Sequence, residues 1–212
     1  MKAMIMAAGR GERMRPLTDD TPKPLLKVRD KPLVVHHLEA LARAGIDEVI
    51  INLSWLGDQI RTQLGNGESY GLSIEYSEEL EPLEVAGGIV QALDLLGEQF
   101  LVINGDVFTD FEFPRLAKVE SAAHLVLVEN PAYHPAGDFA CEDGFIVNDT
   151  EPRYTYSGIA CFKRGFFTGL DRGKRSLAPM LTQAAEKKIV TAEIYTGQWH
   201  DVGTVERLQA LG

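Results

Sequence analysis

Cysteine is scarce in these 212 residues: Cys141 and Cys161 are the only two. Two thiols make neither a disulfide framework nor a thiolate metal cage, and both fall in stretches that read as buried strands, so packing is the role expected of them. Long apolar runs are missing as well. Nothing approaches the ~20 consecutive apolar residues that cross a bilayer, and Met1 to Gly11 holds no apolar stretch ending in a cleavage pattern. A cytoplasmic protein with no membrane partner is therefore expected. Basic residues are outnumbered, 21 Lys and Arg against 31 Asp and Glu, and the net charge of −10 argues against a nucleic-acid partner. With no internal repeat, no low-complexity tract and no Pro/Gly/Ser linker, a single domain over 1–212 is expected.

What basic charge there is sits at one end. Residues 1–31 carry eight Lys and Arg against four acids, a local +4 that leaves −14 on the remainder. A short basic segment on an acidic protein suits a small polyanion better than a long one. Lys2 to Ala7 reads as a buried strand running into the glycine-bearing loop Ala8-Gly9-Arg10-Gly11. Asp30 is expected to cap a helix with Pro32 in its first turn, Leu33, His37, Leu38 and Leu41 on one face, and Gly45 at its end. Strands follow at 49–53, 72–76 and 100–103, with helices at 55–64 and 87–96 between them. From residue 124 strands dominate, at 124–128, 139–147, 154–162 and 190–195, with helices near 177–187 and 205–211. This alternation predicts an α/β protein: a three-layer α/β/α sandwich with a mostly parallel, Rossmann-like mixed sheet, whose ligands bind beyond the carboxyl ends of the strands.

Three stretches carry chemistry. Ala7-Ala8-Gly9-Arg10-Gly11-Glu12-Arg13-Met14-Arg15-Pro16 is followed by Pro22-Lys23-Pro24. Glycines after a strand let backbone amides approach a triphosphate, and Arg13, Arg15 and Lys23 supply positive charge; the alternative is a tight turn with solvated arginines. Phe100 to Asp106 is an apolar strand that delivers Asn104 and Asp106 at its carboxyl end, although an Asp after Gly is also an ordinary turn residue. Trp199-His200-Asp201-Val202-Gly203-Thr204 precedes the last helix, where Thr204 is the better cap and Asp201 is left for another use. The histidines have no acid at metal spacing: His36 and His37 lie on a helix, His124 begins a strand, and His134 and His200 are in loops. Core or surface roles are expected of all five.

Taken together, these stretches resemble the signature of the sugar-1-phosphate nucleotidyltransferases, with its A-A-G-x-G-x-R-M/L-x-P, P-K-P, G-D and W-x-D-x-G elements. The resemblance spans essentially the whole chain and implies the nucleotide-diphospho-sugar transferase fold. It implies that Arg13 and Lys23 bind phosphates, that Asp106 and Asp201 hold a catalytic Mg²⁺, and that Asn104 lies near the nucleoside. Ala8, Gly9 and Gly11 would serve the nucleotide through their backbone. Glu81 to Ile89 resembles the base-contacting L-x-T-G/A-G-G/A loop, with Glu84 and Gly87 as nucleotide contacts and Val85 in place of the usual Thr. For the sugar phosphate the resemblance points to Asp138, Ser157 and Gly158, and to Glu151 with Arg153 where relatives carry Glu-Lys-Pro. Asp110 would be an auxiliary carboxylate. Residues 1–120 become a nucleotide-binding part and 121–212 a sugar-phosphate-binding part.

The order of the motifs is nearest that of the short members of the family, which implies UTP and a muramic-type sugar 1-phosphate as substrates and a place in cell-wall recycling. Glucose, mannose or N-acetylglucosamine acceptors share most of these motifs. With the chain ending at Gly212, no acyltransferase β-helix is expected, and the enzyme would act as a monomer or small homo-oligomer. Two rivals stand beside this reading. A catalytically silent nucleotide-binding subunit has no need to keep clustered charges, and a metal-dependent glycosyltransferase expects Asp-x-Asp, of which Asn104-Gly105-Asp106 supplies one acid.

Overall fold

A computed structural model describes residues Met1–Gly212. The first half alternates: β1 (Lys2–Met6), a short α1 (Leu17–Asp20), a hairpin of β2 (Lys27–Val28) and β3 (Lys31–Pro32), α2 (Leu33–Arg43), β4 (Glu48–Leu53), α3 (Gly57–Leu64), β5 (Ser73–Glu78), α4 (Glu84–Ala92), β6 (Gln99–Asn104) and β7 (Val107–Thr109). The second half is strand-rich: β8 (Ala123–Val128), β9 (Phe139–Glu142), β10 (Phe145–Val147), β11 (Arg153–Lys163), α5 (Ala178–Glu186), β12 (Val190–Tyr195), β13 (Trp199–Asp201) and α6 (Val205–Gln209). No helix is long and apolar enough to cross a membrane.

Nine strands form one sheet in the order β5-β4-β1-β6-β11-β8-β12-β10-β9. Only β11 and β10 run against the rest, since β11 is antiparallel to β6 and β8, and β10 to β12 and β9. The sheet is therefore mostly parallel and mixed, as expected. Its strands are apolar on both faces, which a sheet covered on both sides requires. Along β1 and just beyond it, Ala3, Ile5 and Ala7 enter one core cluster while Met4 enters the other. Helices α2 and α3 cover the first face through Val34, Val35, Leu38, Leu41, Ile60 and Leu64. Helices α4 and α5 cover the second through Ala86, Ile89, Val90, Leu181, Ala184 and Ala185. Each large aliphatic side chain buried this way contributes at most ~1.5–3 kcal/mol.

Several local expectations differ from the structure. Asp30 does not cap α2: Arg29 and Asp30 have φ of 52° and 61° and form the tip of the β2–β3 hairpin, and Pro32 stands at the cap position. The stretch 139–147 is two strands, because Asp143 (φ 51°) and Gly144 (φ 78°) turn the chain between β9 and β10. Cys161 is buried and Cys141 only partly so.

His37 lies in α2 with its Nε2 buried and unpartnered. Burial, the largest influence, pushes its pKa down to about 4. The unfolded imidazole titrates near 6.5, so between these values the unfolded chain binds a proton that the folded chain refuses. Stability is therefore fully present above about pH 6.5 and falls as pH drops toward 4, by about 3 kcal/mol from this group. Urea denaturation of wild type and His37→Leu at about pH 7 and about pH 4.5 checks it. The variant should show the smaller loss on acidification; equal losses exclude His37 as a source.

Candidate active site

Two clefts open at the carboxyl ends of the parallel strands. The first, about 570 Å³, is lined by Met6 at the end of β1 and Ala7 to Arg13 beyond it, Lys23 and Pro24, Asn52 on β4, Glu79, Pro82, Glu84 and Val85 at the start of α4, and Asn104 to Asp106 at the end of β6 and just beyond. The second, about 400 Å³, is lined by Tyr133, His134, Thr155 to Ser157, Trp199 and Asp201. Arg13, Asn104 and Asp106 belong to both.

The glycine loop is built for a ligand. Gly11 has φ of 67°, and a Cβ there would lie 2.9 Å from Thr18 Cγ2, while the Thr18 hydroxyl donates to the Gly11 carbonyl at 2.8 Å. A Cβ on Gly9 would meet nothing, so that position opens onto the cleft. Lys23 is buried and donates to an Asp106 carboxylate oxygen. Arg15 does not join them: it does not line the cleft, and its Nε donates to Asp19 at 2.6 Å on the exposed side.

The floor of the first cleft holds a polar chain the sequence did not reveal. The Ala7 amide donates to Asn52 Oδ1 at 2.6 Å, Asn52 Nδ2 donates to Glu79 Oε1 at 2.7 Å, and the Leu83 amide donates to Glu79 Oε2 at 2.9 Å. Burial raises the pKa of Glu79, against the pull of these donors. Asn52 and Glu79 each sit at a strand's carboxyl end, and that position was the only signal available for them. Lys174 reaches the cleft from a distant loop, with its Nζ 3.7 Å from Glu84 Oε1.

The two expected metal-binding carboxylates are brought together by a two-stranded ribbon. β7 and β13 pair antiparallel with Val107 opposite Asp201, and the Val202 amide donates to the Asp106 carbonyl at 2.8 Å. At the other end, Asp110 accepts from the Gln198 amide at 2.7 Å and from the Tyr195 hydroxyl. Asp110 therefore fixes the ribbon and is not an auxiliary carboxylate beside Asp106. Desolvation and then its bond to Asp110 push the Tyr195 hydroxyl up to about 12. Asp201 accepts from Arg207 Nη1 at 2.8 Å, and Thr204 caps α6 as expected.

Other expected contacts are placed differently. Gly87 lies outside the cleft: its amide donates to the Arg175 carbonyl, and a Cβ would come 2.4 Å from the Gly173 carbonyl, so it makes room for a loop and not for a base. Glu84 does line the cleft, in a left-handed conformation with φ of 61°. Arg153 lines neither cleft, because its guanidinium donates to the carbonyls of Asn148 and Asp138. Exposed Glu151 accepts from the Arg153 amide at 3.0 Å and also faces neither. Asp138 stands behind the second cleft, accepting from the Tyr156 amide at 2.7 Å. Ser157 lines that cleft within a bulge of β11. Gly158, at φ 79°, is packed so closely that a Cβ would lie 2.6 Å from Asn104 Nδ2; it gives Asn104 its place.

Residues 2–139 match the family model for nucleotidyl transferases. The chain belongs to the nucleotidyl transferase family. This transferase is 48% identical, over 99% of its length and 96% of the relative's, to an N-acetylmuramate alpha-1-phosphate uridylyltransferase of Neisseria meningitidis. It is 31% identical over 96% of its length to a mannose-1-phosphate guanylyltransferase catalytic subunit beta of Xenopus tropicalis, but spans only 61% of that protein. Among solved structures, HddC of Yersinia pseudotuberculosis in complex with GMP-PN superposes with a TM-score of 0.82 at 21% identity, covering 99% of this chain and 97% of that one. That likeness speaks to the fold.

Proposed function

We propose that this transferase moves a uridylyl group from UTP to a sugar 1-phosphate, with N-acetylmuramic acid α-1-phosphate as the acceptor, and releases pyrophosphate in cell-wall recycling. The observation that carries the reading is the junction of two clefts at Arg13, Asn104 and Asp106. A nucleotide in the first cleft and a sugar phosphate in the second would meet there, at the α-phosphorus.

The acceptor phosphate attacks the α-phosphorus in line, forming the new P–O bond as the bond to pyrophosphate breaks. Its second pKa is near ~6, so the nucleophile is already ionised at neutral pH and no general base is required. Positioning and charge neutralisation then carry catalysis. Backbone amides of the Ala8 to Gly11 loop and Lys23 hold the triphosphate, and Arg13 spans both substrates. Asp106 and Asp201 would hold Mg²⁺, which supplies charge neutralisation at the α-phosphoryl group. The chain offers no cluster of three or more His, Cys, Asp or Glu for a metal. Two carboxylates suit a hard cation that takes its remaining ligands from phosphate and water.

A base in the first cleft would lie against Pro82, Glu84, Val85 and Glu79, which line it. Val85 offers no hydroxyl, Glu79 already has both oxygens engaged by Asn52 and Leu83, and Glu84 faces Lys174 at 3.7 Å. A guanine edge would leave donors unmatched at a cost of about 1–3 kcal/mol, so UTP should exceed GTP in kcat/KM by at least roughly tenfold. Pyrophosphate release with UTP, dTTP, GTP and ATP, each with Mg²⁺ and a panel of sugar 1-phosphates, tests both reaction and base. Equal use of GTP overturns the uridylyl assignment, and no release with any pair overturns the activity.

A further inference from the structure

Among the groups that line the second cleft, His134 is the imidazole, and neither the sequence motifs nor the reaction assigns it a task. It lies between β8 and β9, where a loop histidine is ordinarily a solvated surface residue. Its side chain is 38% exposed, but it is paired with a carboxylate that is itself anchored. His134 Nε2 is 3.1 Å from Asp138 Oδ1, and the other Asp138 oxygen accepts from the Tyr156 amide at 2.7 Å. The Asp138 amide itself donates to the Tyr154 carbonyl at 2.8 Å. Asp138 is thus tied to β11 on two sides, and its carboxylate can move little.

The loop between His134 and Asp138 is equally fixed. The His134 amide donates to the Pro131 carbonyl at 2.8 Å, and the Gly137 amide donates to the His134 carbonyl at 3.3 Å. Gly137 has φ of 62°, and a Cβ there would lie 2.7 Å from Asn130 Oδ1, so only glycine closes this turn without displacing its neighbours. Asn130 in turn donates to the carbonyls of Pro135 and Arg153 and accepts from the Thr155 hydroxyl. The loop is therefore a preorganised wall, and the imidazole is held on it.

We propose that His134 is an acceptor-binding residue, and that Asp138 is the positioning residue that sets its tautomer. An ionised carboxylate only accepts, so the imidazole presents its Nε2–H to Asp138. Nδ1 is then the ring nitrogen left for a ligand, and in the neutral ring it carries a lone pair. That lone pair accepts a hydrogen bond from an O–H or N–H of the sugar, while Arg13 on the same cleft takes the phosphate. The assignment rests on the nucleotidyl-transfer reading, because it is that reading which puts the sugar in the second cleft. It also gives Asp138, which lies outside the cleft, a way to bear on the acceptor: through His134.

The test is calorimetric binding of N-acetylmuramic acid α-1-phosphate and, separately, of UTP, to wild type and three variants, with steady-state kinetics alongside. His134→Gln keeps an amide near Nε2 and its bond to Asp138 but removes the group at Nδ1. It should weaken acceptor binding at least roughly tenfold, the scale of one lost hydrogen bond, while UTP affinity stays within about twofold. His134→Asn keeps an amide near Nδ1 and should recover part of the loss. Asp138→Asn lets the ring take the other tautomer and should raise KM for the acceptor without a matching change in KM for UTP. Repeating the series with glucose 1-phosphate separates the donors: the same loss points to a hydroxyl, and a loss confined to the N-acetylated sugar points to its amide. Unchanged acceptor affinity in His134→Gln, or equal losses for acceptor and UTP, overturns the proposal and leaves uridylyl transfer standing. A wild-type protein that neither binds the acceptor nor releases pyrophosphate overturns both.

Discussion

Asp106→Asn and Asp201→Asn are each expected to lower turnover at saturating Mg²⁺ by at least about a hundredfold. A bound metal supplies several kcal/mol of transition-state charge stabilisation, and ~1.4 kcal/mol corresponds to one decade in rate. A neutral amide is a poor ligand for a hard cation. The two variants should differ in stability. Asp106 is the ion-pair partner of buried Lys23, whose side chain is 11% exposed. Removing that carboxylate leaves an ammonium in a poorly solvated place, so Asp106→Asn should also lose about 1–3 kcal/mol of folding stability. Asp201 pairs with Arg207, at 24% exposure for both side chains, and the longer guanidinium can turn to water, so Asp201→Asn should fold with a smaller loss. Kinetics, urea denaturation and Mg²⁺ calorimetry on the same preparations check all three statements. Near-wild-type turnover in both variants would falsify the metal assignment.

Lys23→Ala and Arg13→Ala are expected to lower kcat/KM by roughly 30- to 1,000-fold, the equivalent of ~2–4 kcal/mol for a charge-assisted contact made in the transition state. Their signatures should separate. Lys23 lines only the first cleft, so its loss should fall on the nucleotide; Arg13 stands at the junction, so its loss should appear with both substrates. Lys23→Arg should not restore activity, because a planar fork cannot occupy the site of a point charge packed beside Asp106 and Gly11. Lys23→Ala also leaves Asp106 free of its cation, so Mg²⁺ should bind that variant at least as tightly as wild type. Loss of stability without loss of kcat/KM would make both side chains structural.

The elements that could be read from the sequence are those whose signal is local. The β1 to β6 alternation follows from apolar runs separated by amphipathic helices, and two-sided burial of Met4 and Ile5 is what a run without polar alternation requires. Arg13 and Lys23 were expected at the ligand from the family's motifs, and both line the cleft that Asp106 also lines. Glu151 and Arg153 misled for the same reason. Side-chain type and spacing suited a phosphate, but Arg153 is consumed by the carbonyls of Asn148 and Asp138, a contact between segments that no local pattern encodes.

Sequence alone determined the fold class and the strand ends at which charge would gather, because hydrophobic period and glycine placement act over a few residues, while the family was read from the resemblance of its motifs. Tertiary structure alone decided that Asp201, 95 residues beyond Asp106, would stand beside it, through the Val107–Asp201 register of a short ribbon. It likewise decided that Gly87 serves a loop, that Asn52 and Glu79 form the floor of the first cleft, and that Asp138 turns away from the second while holding His134 on it. These outcomes depend on which buried donor finds which acceptor across the fold, and that pairing is settled only when the sheet brings distant segments within hydrogen-bond reach.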